Sequence, residues 1–334
     1  LYRRLLTKPQ TISSAAEFDT ERFIRGTQRK IQQHKIHRLV WQSASVAAVF
    51  MIVLFSVLFT RENRPPESSV VNDVPVAGKT QAVLSLPDGR QVALGNEKEQ
   101  DTAWMKYVEA CTIESKATTE PADIKIEVAR GGEYKIRLED GTTVWLNSES
   151  SLIYPEKFTG DKRAVRLSGE GYFEVARDEK KPFIVSVTDM EIKVLGTKFN
   201  VTAYQDEKMT TTTLISGAVE VVTPHRSVQL QPGKQAMVQE GDDDITVLEV
   251  DVELATSWTA GIFKFDKMAL TDICTRLSRW YDIDFVFEGE TGKEKFTGGT
   301  WKYVPLKDFL SKIERVTNVL FLFENNTVRV VPKK

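Results

Sequence analysis

The sequence predicts a single-pass membrane protein whose exported part is an all-β domain, a sandwich or solenoid of short strands, followed by a small α+β domain. Three observations support this fold class. Residues 39–59 contain no charged side chain. Short strand patterns separated by turn residues recur over residues 81–257. Two helical patterns flanked by strands lie in residues 258–334.

The uncharged run at 39–59 is a predicted transmembrane helix, because a bilayer core needs about 20 predominantly apolar residues in helical form. The alternative is a helix buried in a protein core, but such helices seldom lack charge over 21 residues. A cleaved signal peptide fits less well, since 38 residues precede the run and no small-residue cleavage site follows it.

The charge on either side of this run predicts its orientation. Residues 1–38 carry nine basic and three acidic side chains, a formal charge of +6. The residues after the run carry 36 basic and 44 acidic side chains, a formal charge of −8. Because Lys and Arg are retained on the cytoplasmic side, the sequence predicts an inner-membrane protein with a cytoplasmic N-terminus and a periplasmic C-terminus.

The same charges limit the partners. An acidic exported part argues against nucleic acid as its ligand. The basic residues 1–38 suit either the anionic surface of the lipid bilayer or a cytoplasmic partner.

Residues 60–80 are predicted to form an extended periplasmic linker, because three prolines lie there among small polar residues. The all-β prediction begins at residue 81. Residues 84–94 and 136–146 each place Asp-Gly between two apolar runs, which is typical of a tight hairpin. They are either an internal repeat or two unrelated hairpins.

Strand patterns continue from residue 127 to residue 250, at a spacing of about ten residues. Many short strands with regular turn residues indicate a sandwich, a barrel or a solenoid. The polar stretch 99–122, between the two hairpins, is predicted to be a loop with one helical turn around Trp104.

The last region, residues 258–334, has a different pattern. Apolar side chains recur at helical spacing in residues 270–280 and 306–313, and Pro305 lies where a first helical turn accepts proline. Strand patterns flank both segments, so the predicted order is β-α-β-β-α-β-β, a small independent α+β domain. The sequence leaves open whether the first strand pairs in this domain or in the preceding one.

Histidine is scarce. His34 and His37 precede the membrane run, and His225 alone follows it. A His-based catalytic triad, or a zinc site of the usual His-rich kind, therefore lacks its parts. No glycine-rich phosphate loop is present. No metal and no cofactor is predicted, although the many carboxylates leave a glycosidase pair open.

The two cysteines, Cys111 and Cys274, lie in different predicted units. In an oxidising compartment they could form a disulfide. The alternative places Cys274 in the apolar face of a helix as a buried thiol.

Several segments in combination resemble the FecR family of membrane-anchored anti-sigma regulators, in the form common in Bacteroidetes. In the all-β part the matching stretches are RGGEYKIRLEDGTTVWLNSESSLIYPEKF, RLSGEGYFEVARDEKKPFIV, VLGTKFNVTAY, ISGAVEVV and LQPGKQA. In the last part they are FDKMALTDICTRLSRWYDIDFVF and FTGGTWKYVPLKDFLSKI, which look like the family's C-terminal domain. That domain is similar to the secretin and TonB short N-terminal fold. The resemblance covers about residue 80 to the end.

The resemblance implies a non-enzymatic regulator. Its periplasmic part would contact the signalling domain of a TonB-dependent outer-membrane transporter. Membrane proteases would then cut the regulator and release an extracytoplasmic-function sigma factor. Family members carry a cytoplasmic anti-sigma domain before the membrane span, and residues 1–38 would be the remnant of that region. The alternative function is a membrane-anchored periplasmic carbohydrate-binding or hydrolytic protein, for which we expect a deep cleft with a carboxylate pair.

One stretch, VLGTKFNV, interrupts strand-forming residues with Gly196 and Thr197. In some family members the chain cleaves itself at a matching Gly-Thr pair. The Thr197 hydroxyl would attack the carbonyl of Gly196, and glycine tolerates a strained backbone there. The resemblance thus makes Gly196 and Thr197 candidate residues for a single-turnover self-cleavage. The alternative is a β-bulge in which Thr197 is an ordinary strand residue.

Overall fold

The computed structural model describes residues 77–95, 123–188 and 190–333. The predicted basic segment, the membrane run and the loop around Trp104 lie outside these residues, as does Cys111. Within the described ranges, no helix has the length and apolar character needed to cross a membrane.

The first part of the described chain contains sixteen strands. In chain order they are β1 Lys79–Thr80, β2 Ala82–Ser85, β3 Gln91–Leu94, β4 Asp123–Val128, β5 Gly132–Arg137, β6 Thr143–Leu146, β7 Ser150–Pro155, β8 Arg163–Glu174, β9 Phe183–Val187, β10 Met190–Val194, β11 Lys198–Ala203, β12 Met209–Ser216, β13 Val219–Val222, β14 Ser227–Leu230, β15 Lys234–Gln239 and β16 Ile245–Glu249.

These strands form two sheets that share one long strand. The first sheet has the order β3-β2-β4-β7-β8-β9-β10-β13-β14, and the second has the order β1-β5-β6-β8-β11-β12-β15-β16. Residues 163–168 of β8 pair in the first sheet, and residues 169–174 pair in the second. β8 changes sheet at Gly169, which has φ +93° and no room for a Cβ against Ser150.

A single apolar core lies between the two sheets. In β8 buried residues alternate with more exposed ones, as expected when one face of a strand is covered. Phe173 stacks on Phe199 with ring centroids 5.0 Å apart, and it also contacts Phe183 at 6.4 Å. The all-β prediction is confirmed, and of its architectures the structure is a sandwich (below, the β-sandwich).

The two predicted hairpins have the same turn. In each, a leucine amide bonds across the turn, Leu86 to the Arg90 carbonyl and Leu138 to the Thr142 carbonyl, at 2.9 and 2.8 Å. The turn glycines have φ +84° and +85°. Strands β2 and β3 nevertheless belong to the first sheet, whereas β5 and β6 belong to the second. The two hairpins therefore resemble each other only locally, and they lie in different sheets.

The last part follows the predicted order. Its elements are α1 Val252–Thr256, a 3₁₀ turn at Ser257–Ala260, β17 Ile262–Ala269, α2 Leu270–Tyr281, β18 Asp284–Phe287, β19 Lys295–Trp301, α3 Leu306–Val316, β20 Val319–Glu324 and β21 Thr327–Pro332. We refer to residues 257–332 as the C-terminal domain. β17 pairs with β19, so the first strand belongs to this domain, and β18-β21-β20 form a second small sheet.

The C-terminal domain has its own apolar core, distinct from that of the β-sandwich. The apolar faces of α2 and α3 meet there, with Leu277 and Leu306 fully buried. Cys274 lies in this core as a free thiol, and burial raises its pKa. The buried helical position expected for Cys274 is therefore observed.

Candidate functional site

Gly196 and Thr197 lie between two strands, neither of which includes them. β10 ends at Val194 in the first sheet, and β11 begins at Lys198 in the second. The three residues between them carry the chain from one sheet to the other. The prediction of a bulge with Thr197 as an ordinary strand residue is therefore wrong, and the register shift occurs one step later, between Lys198 and Phe199.

The connection is tightly packed. A Cβ on Gly196 would lie 2.7 Å from the Cα of Arg177, so a larger residue would not fit there without a shift. Gly217, at φ +96°, lies against Thr197 in the same way, with 2.8 Å from its ideal Cβ position to Oγ1. Both positions require glycine, because a Cβ at either one would come too close to neighbouring atoms.

The Thr197 hydroxyl is buried, with only 4 % of the residue exposed. It donates to the Ala218 carbonyl at 2.8 Å, and the Thr197 carbonyl accepts from the Val175 amide at 3.0 Å. A nucleophile needs a base to take its proton. Among the described residues, no hydrogen bond joins this hydroxyl to a titratable side chain.

The C-terminal domain docks against the outer face of the second sheet. The Trp258 indole N–H donates to Asn200 Oδ1 at 3.1 Å, and Asn200 Nδ2 donates to Glu170 at 3.0 Å. The other oxygen of Glu170 accepts from Asn147 at 2.8 Å. The Trp258 hydrogen bond thus crosses the contact, and Asn200, Glu170 and Asn147 satisfy one another behind it. We call this contact the interdomain interface.

A fully buried lysine lies at one end of the interdomain interface. Lys302, with 0 % exposure, places its ammonium 2.6 Å from Glu133 Oε2 on β5. The same ammonium lies 3.8 Å from the centre of the Trp280 ring. Burial lowers the pKa of Lys302, while the charge of Glu133 acts in the opposite direction.

A buried arginine lies at the other end. Arg279, with 5 % of its side chain exposed, binds Asp206 and Glu207 at 2.6 Å each and Glu149 at 3.3 Å. Its guanidinium lies 3.6 Å from the centre of the Tyr204 ring. A planar guanidinium can bind several carboxylates at its edge and stack on an aromatic ring with its face, as Arg279 does here.

The turn between β4 and β5 meets the C-terminal end of α2. Arg130 donates to the carbonyls of Ser278 and Ile283 at 3.1 and 2.8 Å. The Gly131 amide donates to the Arg279 carbonyl at 2.7 Å. A helix end leaves carbonyls without partners and favours positive charge, so this turn of the β-sandwich caps α2.

The interdomain interface was not predicted from the sequence, because the order of buried and exposed residues there is the reverse of the usual one. In Trp301-Lys302-Tyr303, alternation predicts buried aromatic residues and an exposed lysine. In the structure Lys302 is fully buried, whereas Trp301 and Tyr303 are 53 % and 54 % exposed. Arg279 gives a weaker signal, since it adjoins Trp280 at the end of the apolar face of α2.

A second surface of interest is the outer face of the β18-β21-β20 sheet. Leu320 and Leu322 on β20, and Val286 on β18, are exposed there. Arg329 lies between Val286 and Leu322 in the pairing register and binds Glu288 and Glu324. Among the described strands, β18 and β20 each pair on one side only. This exposed sheet surface therefore offers both apolar side chains and unpaired strand edges.

The interdomain interface encloses little space. Two cavities of about 50 and 180 Å³ lie along it, both bordered by Glu170 and Arg276. A further space of about 510 Å³ lies beside the β9–β10 turn and is bordered by Glu207 and Asp243. These two carboxylates already face Arg279 and His225, respectively. In the described part of the chain, no three His, Cys, Asp or Glu side chains form a group suited to a metal.

Two family models match the chain. The model of the FecR protein matches residues 124–220, and the model of the FecR C-terminal domain matches residues 262–330. No curated protein matches the sequence.

Solved structures match as well. One is a crystal structure, at 1.65 Å resolution, of a protein described as a candidate anti-sigma factor from Parabacteroides distasonis, with 30 % sequence identity and a TM-score of 0.59. The match covers 63 % of this chain and 99 % of that one. A second structure, at 2.50 Å and described in the same words, has the same identity and TM-score and is covered completely, with 64 % of this chain matched.

Proposed function

The chain belongs to the FecR family of anti-sigma factors, and from that premise we propose that it carries a signal from a TonB-dependent outer-membrane transporter to an extracytoplasmic-function sigma factor. The proposed arrangement is a single inner-membrane span at residues 39–59, with the N-terminal side in the cytoplasm. Membrane proteases are the proposed agents of release. As a member of this family the chain acts by binding a sigma factor, so the alternative of a carbohydrate-binding or hydrolytic protein is set aside.

The exposed sheet surface of the C-terminal domain is the observation that supports the transporter as partner. Leu320 and Leu322 project from a strand whose outer edge pairs with no other strand in the described ranges. A protein domain can bind such a surface by adding a strand to the edge and placing apolar side chains over the face. The signalling domain of the transporter is the proposed occupant.

The test is a double substitution, Leu320→Glu with Leu322→Glu, in the full chain. We expect it to abolish recovery of the TonB-dependent transporter from detergent-solubilised envelopes, as identified by mass spectrometry. The matched control is Val247→Glu with Leu248→Glu, which adds the same charges to β16, another edge strand with exposed apolar residues. Equal recovery with both variants would contradict the assignment of the surface.

Topology has its own test. A reporter active only in the periplasm should be active when fused after Lys334 and silent when fused after Arg38. The opposite result would reverse the orientation predicted from the flanking charges.

Self-cleavage at Gly196–Thr197 is a second candidate activity, supported by the tight packing of Gly196 against Arg177 and by the close approach of Gly217 to the Thr197 hydroxyl. The cut would leave pieces of 196 and 138 residues of the 334-residue chain. They would stay associated, because β11 pairs with β8 from the first piece and β12 from the second.

Mass spectrometry of the purified chain tests this activity. Wild-type protein should give both pieces, Thr197→Ser should still cleave, and Thr197→Val should give one intact chain. Valine keeps the shape and the β-branching of threonine and lacks only the oxygen. An uncut wild-type chain would leave Gly196 and Thr197 with a purely structural role.

A further inference from the structure

The chain enters the described fold inside the interdomain interface. Ala77 packs against the core of the C-terminal domain. Gly78 follows, and a Cβ built on it would lie 2.6 Å from the Trp280 ring and 2.9 Å from the Gly131 carbonyl oxygen. The backbone at Gly78 is therefore enclosed between a side chain of one domain and the main chain of the other.

The next residues are bonded to residues 131–133, at the start of β5, which also contact the C-terminal domain. The Lys79 amide donates to the Gly131 carbonyl at 2.8 Å, and the Gly131 amide donates to Arg279. The Gln81 amide donates to the Glu133 carbonyl at 3.0 Å, while the Glu133 side chain binds Lys302. Gly131 and Glu133 thus each contact strand β1 on one side and the C-terminal domain on the other.

Strand β1 has little stability of its own. It contains two residues and pairs, in parallel, with β5 alone among the described strands. Both of its residues are exposed. Segments with so few bonds open at low free energy unless a neighbouring element covers them. Trp280 is that element, because it covers Gly78 directly.

We propose that docking of the C-terminal domain holds residues 77–81 in place, and that undocking of this domain frees them for cleavage by a protease. The residues span the end of the predicted linker, 60–80, and include its last four positions. A partner that draws the C-terminal domain away would thereby expose a peptide bond there, which the protease hydrolyses with one water molecule. In this last consequence the inference rests on the proposed function.

The chemistry of the interdomain interface suits a reversible contact. It is held by two buried cations and by polar side chains, whose partners water can replace once the domains separate. An apolar contact of the same area would gain no such hydrogen bonds from water when the domains separate. The β-sandwich and the C-terminal domain each keep a separate apolar core, so separation divides neither core and uncovers the C-terminal core mainly at Trp280.

The first test weakens docking at a distance from β1. Asp206→Asn with Glu207→Gln removes two carboxylates from Arg279 and preserves their shapes. In the full chain in detergent micelles, we expect hydrogen exchange at the Lys79 and Gln81 amides to rise by about tenfold or more. Core amides of β8 and β11 should keep wild-type exchange, which would show that the β-sandwich remains folded. Glu290→Gln is the control, since Glu290 forms an exposed ion pair with Lys293.

The second test acts on β1 itself. Gly78→Ala places a methyl group against Trp280 without altering any ion pair, and should raise exchange at the same two amides and cleavage by added thermolysin within residues 77–81. Gly160→Ala is the matched control, because a Cβ at Gly160 meets no atom within 4 Å. Wild-type exchange at Lys79 and Gln81 in Asp206→Asn with Glu207→Gln would overturn the inference, as would wild-type cleavage in Gly78→Ala.

These measurements need no transporter, so they separate this inference from the proposed function. The Leu320→Glu and Leu322→Glu variant should retain slow exchange at Lys79 and Gln81 even where it loses the transporter. Fast exchange in that variant would mean that the exposed sheet surface, and not the interdomain interface, controls β1, which would contradict the inference and leave the transporter assignment standing.

Discussion

The core of the β-sandwich and the interdomain interface are both buried, but they are built from opposite chemistry. Phe173, Phe183 and Phe199 fill the core with ring-to-ring contacts. At the interdomain interface, Lys302 and Arg279 are enclosed with carboxylates and aromatic faces. The stability of the core depends on the volume that its side chains fill. The stability of the interdomain interface depends on paired charges.

The difference teaches how one chain can combine a permanent fold with a conditional contact. Apolar burial contributes stability that depends little on pH or on a single partner. A buried ion pair contributes little net stability, yet removing one of its members is costly, because the other is left as a buried charge. The stability of the β-sandwich core is therefore expected to depend on side-chain volume and little on pH. The interdomain interface is expected to tolerate a change of side-chain shape only while its charges stay paired.

The largest effect is expected in the core. Phe173→Ala removes a fully buried ring that stacks on Phe199, and we expect it to lower the free energy of unfolding by about 4 kcal/mol. Urea unfolding of the full chain in detergent, followed by circular dichroism at the β-sheet band, measures it. Leu248→Ala, at an exposed position of β16, should change the free energy by less than about 0.5 kcal/mol. Similar losses in both variants would mean that the core is not the main source of stability.

The next effect is expected at Lys302. Glu133→Gln keeps the shape of the side chain and leaves the ammonium without its carboxylate, so docking should weaken by about 3 kcal/mol. Native-state hydrogen exchange of the Gly131 amide, which donates to the Arg279 carbonyl across the interface, measures the docking free energy. Glu133→Leu combined with Lys302→Met replaces both charges by apolar groups and should recover most of the loss. No recovery would show that the contact depends on specific hydrogen bonds more than on paired charge.

A smaller effect is expected from the neutral polar contact beside it. Trp258→Phe removes the indole N–H that donates to Asn200 and leaves a buried oxygen without its donor. We expect a loss of about 1–2 kcal/mol in docking, by the same exchange measurement. Asn200→Leu in the Trp258→Phe background should restore part of it. A loss as large as that of Glu133→Gln would erase the distinction between charged and neutral contacts at the interdomain interface.

The sequence predicts the cores far better than it predicts this contact. Period-two and helical patterns locate the strands, α2 and α3, because those patterns record which side chains face an apolar interior. Docking between domains leaves no such pattern when it is polar. Lys302 breaks the alternation of its strand end, and the acidic partners of Arg279 come from loops far away in sequence, Glu149, Asp206 and Glu207.

The candidate residues Gly196 and Thr197 show the same limit. The sequence indicates that glycine is needed at position 196, but not that the chain changes sheet there. That crossing is set by which strands pair, β10 with β9 and β13, and β11 with β8 and β12. Pairing between distant strands is a property of the whole β-sandwich and is absent from any local stretch.

The smallest effect concerns Tyr303, whose hydroxyl donates to Glu133 at 2.9 Å at the exposed rim of the interdomain interface. Partial burial and the nearby Glu133 charge raise the pKa of Tyr303 from 10.0 to about 12. The folded protein therefore keeps this proton between pH 10 and 12, whereas the unfolded chain loses it. The stabilisation from Tyr303 is complete below pH 10 and is lost as the pH rises through 12.

Tyr303→Phe should remove this part of the pH dependence. Below pH 10 the variant should dock less strongly than wild type, by no more than about 1 kcal/mol for one exposed hydrogen bond. As the pH rises above 10, the two docking free energies should converge, because wild type loses a contribution that the variant never had. Lys302, Tyr281 and Tyr204 titrate in both proteins, so their contributions cancel in the difference. Tryptophan fluorescence during urea unfolding at pH 8, 9, 10 and 11, to which Trp258 and Trp280 contribute among the six tryptophans, gives both curves. A difference in docking free energy that widens with pH would show that ionised Tyr303 still strengthens the contact. It would contradict the Glu133 charge as a cause of the raised pKa of Tyr303.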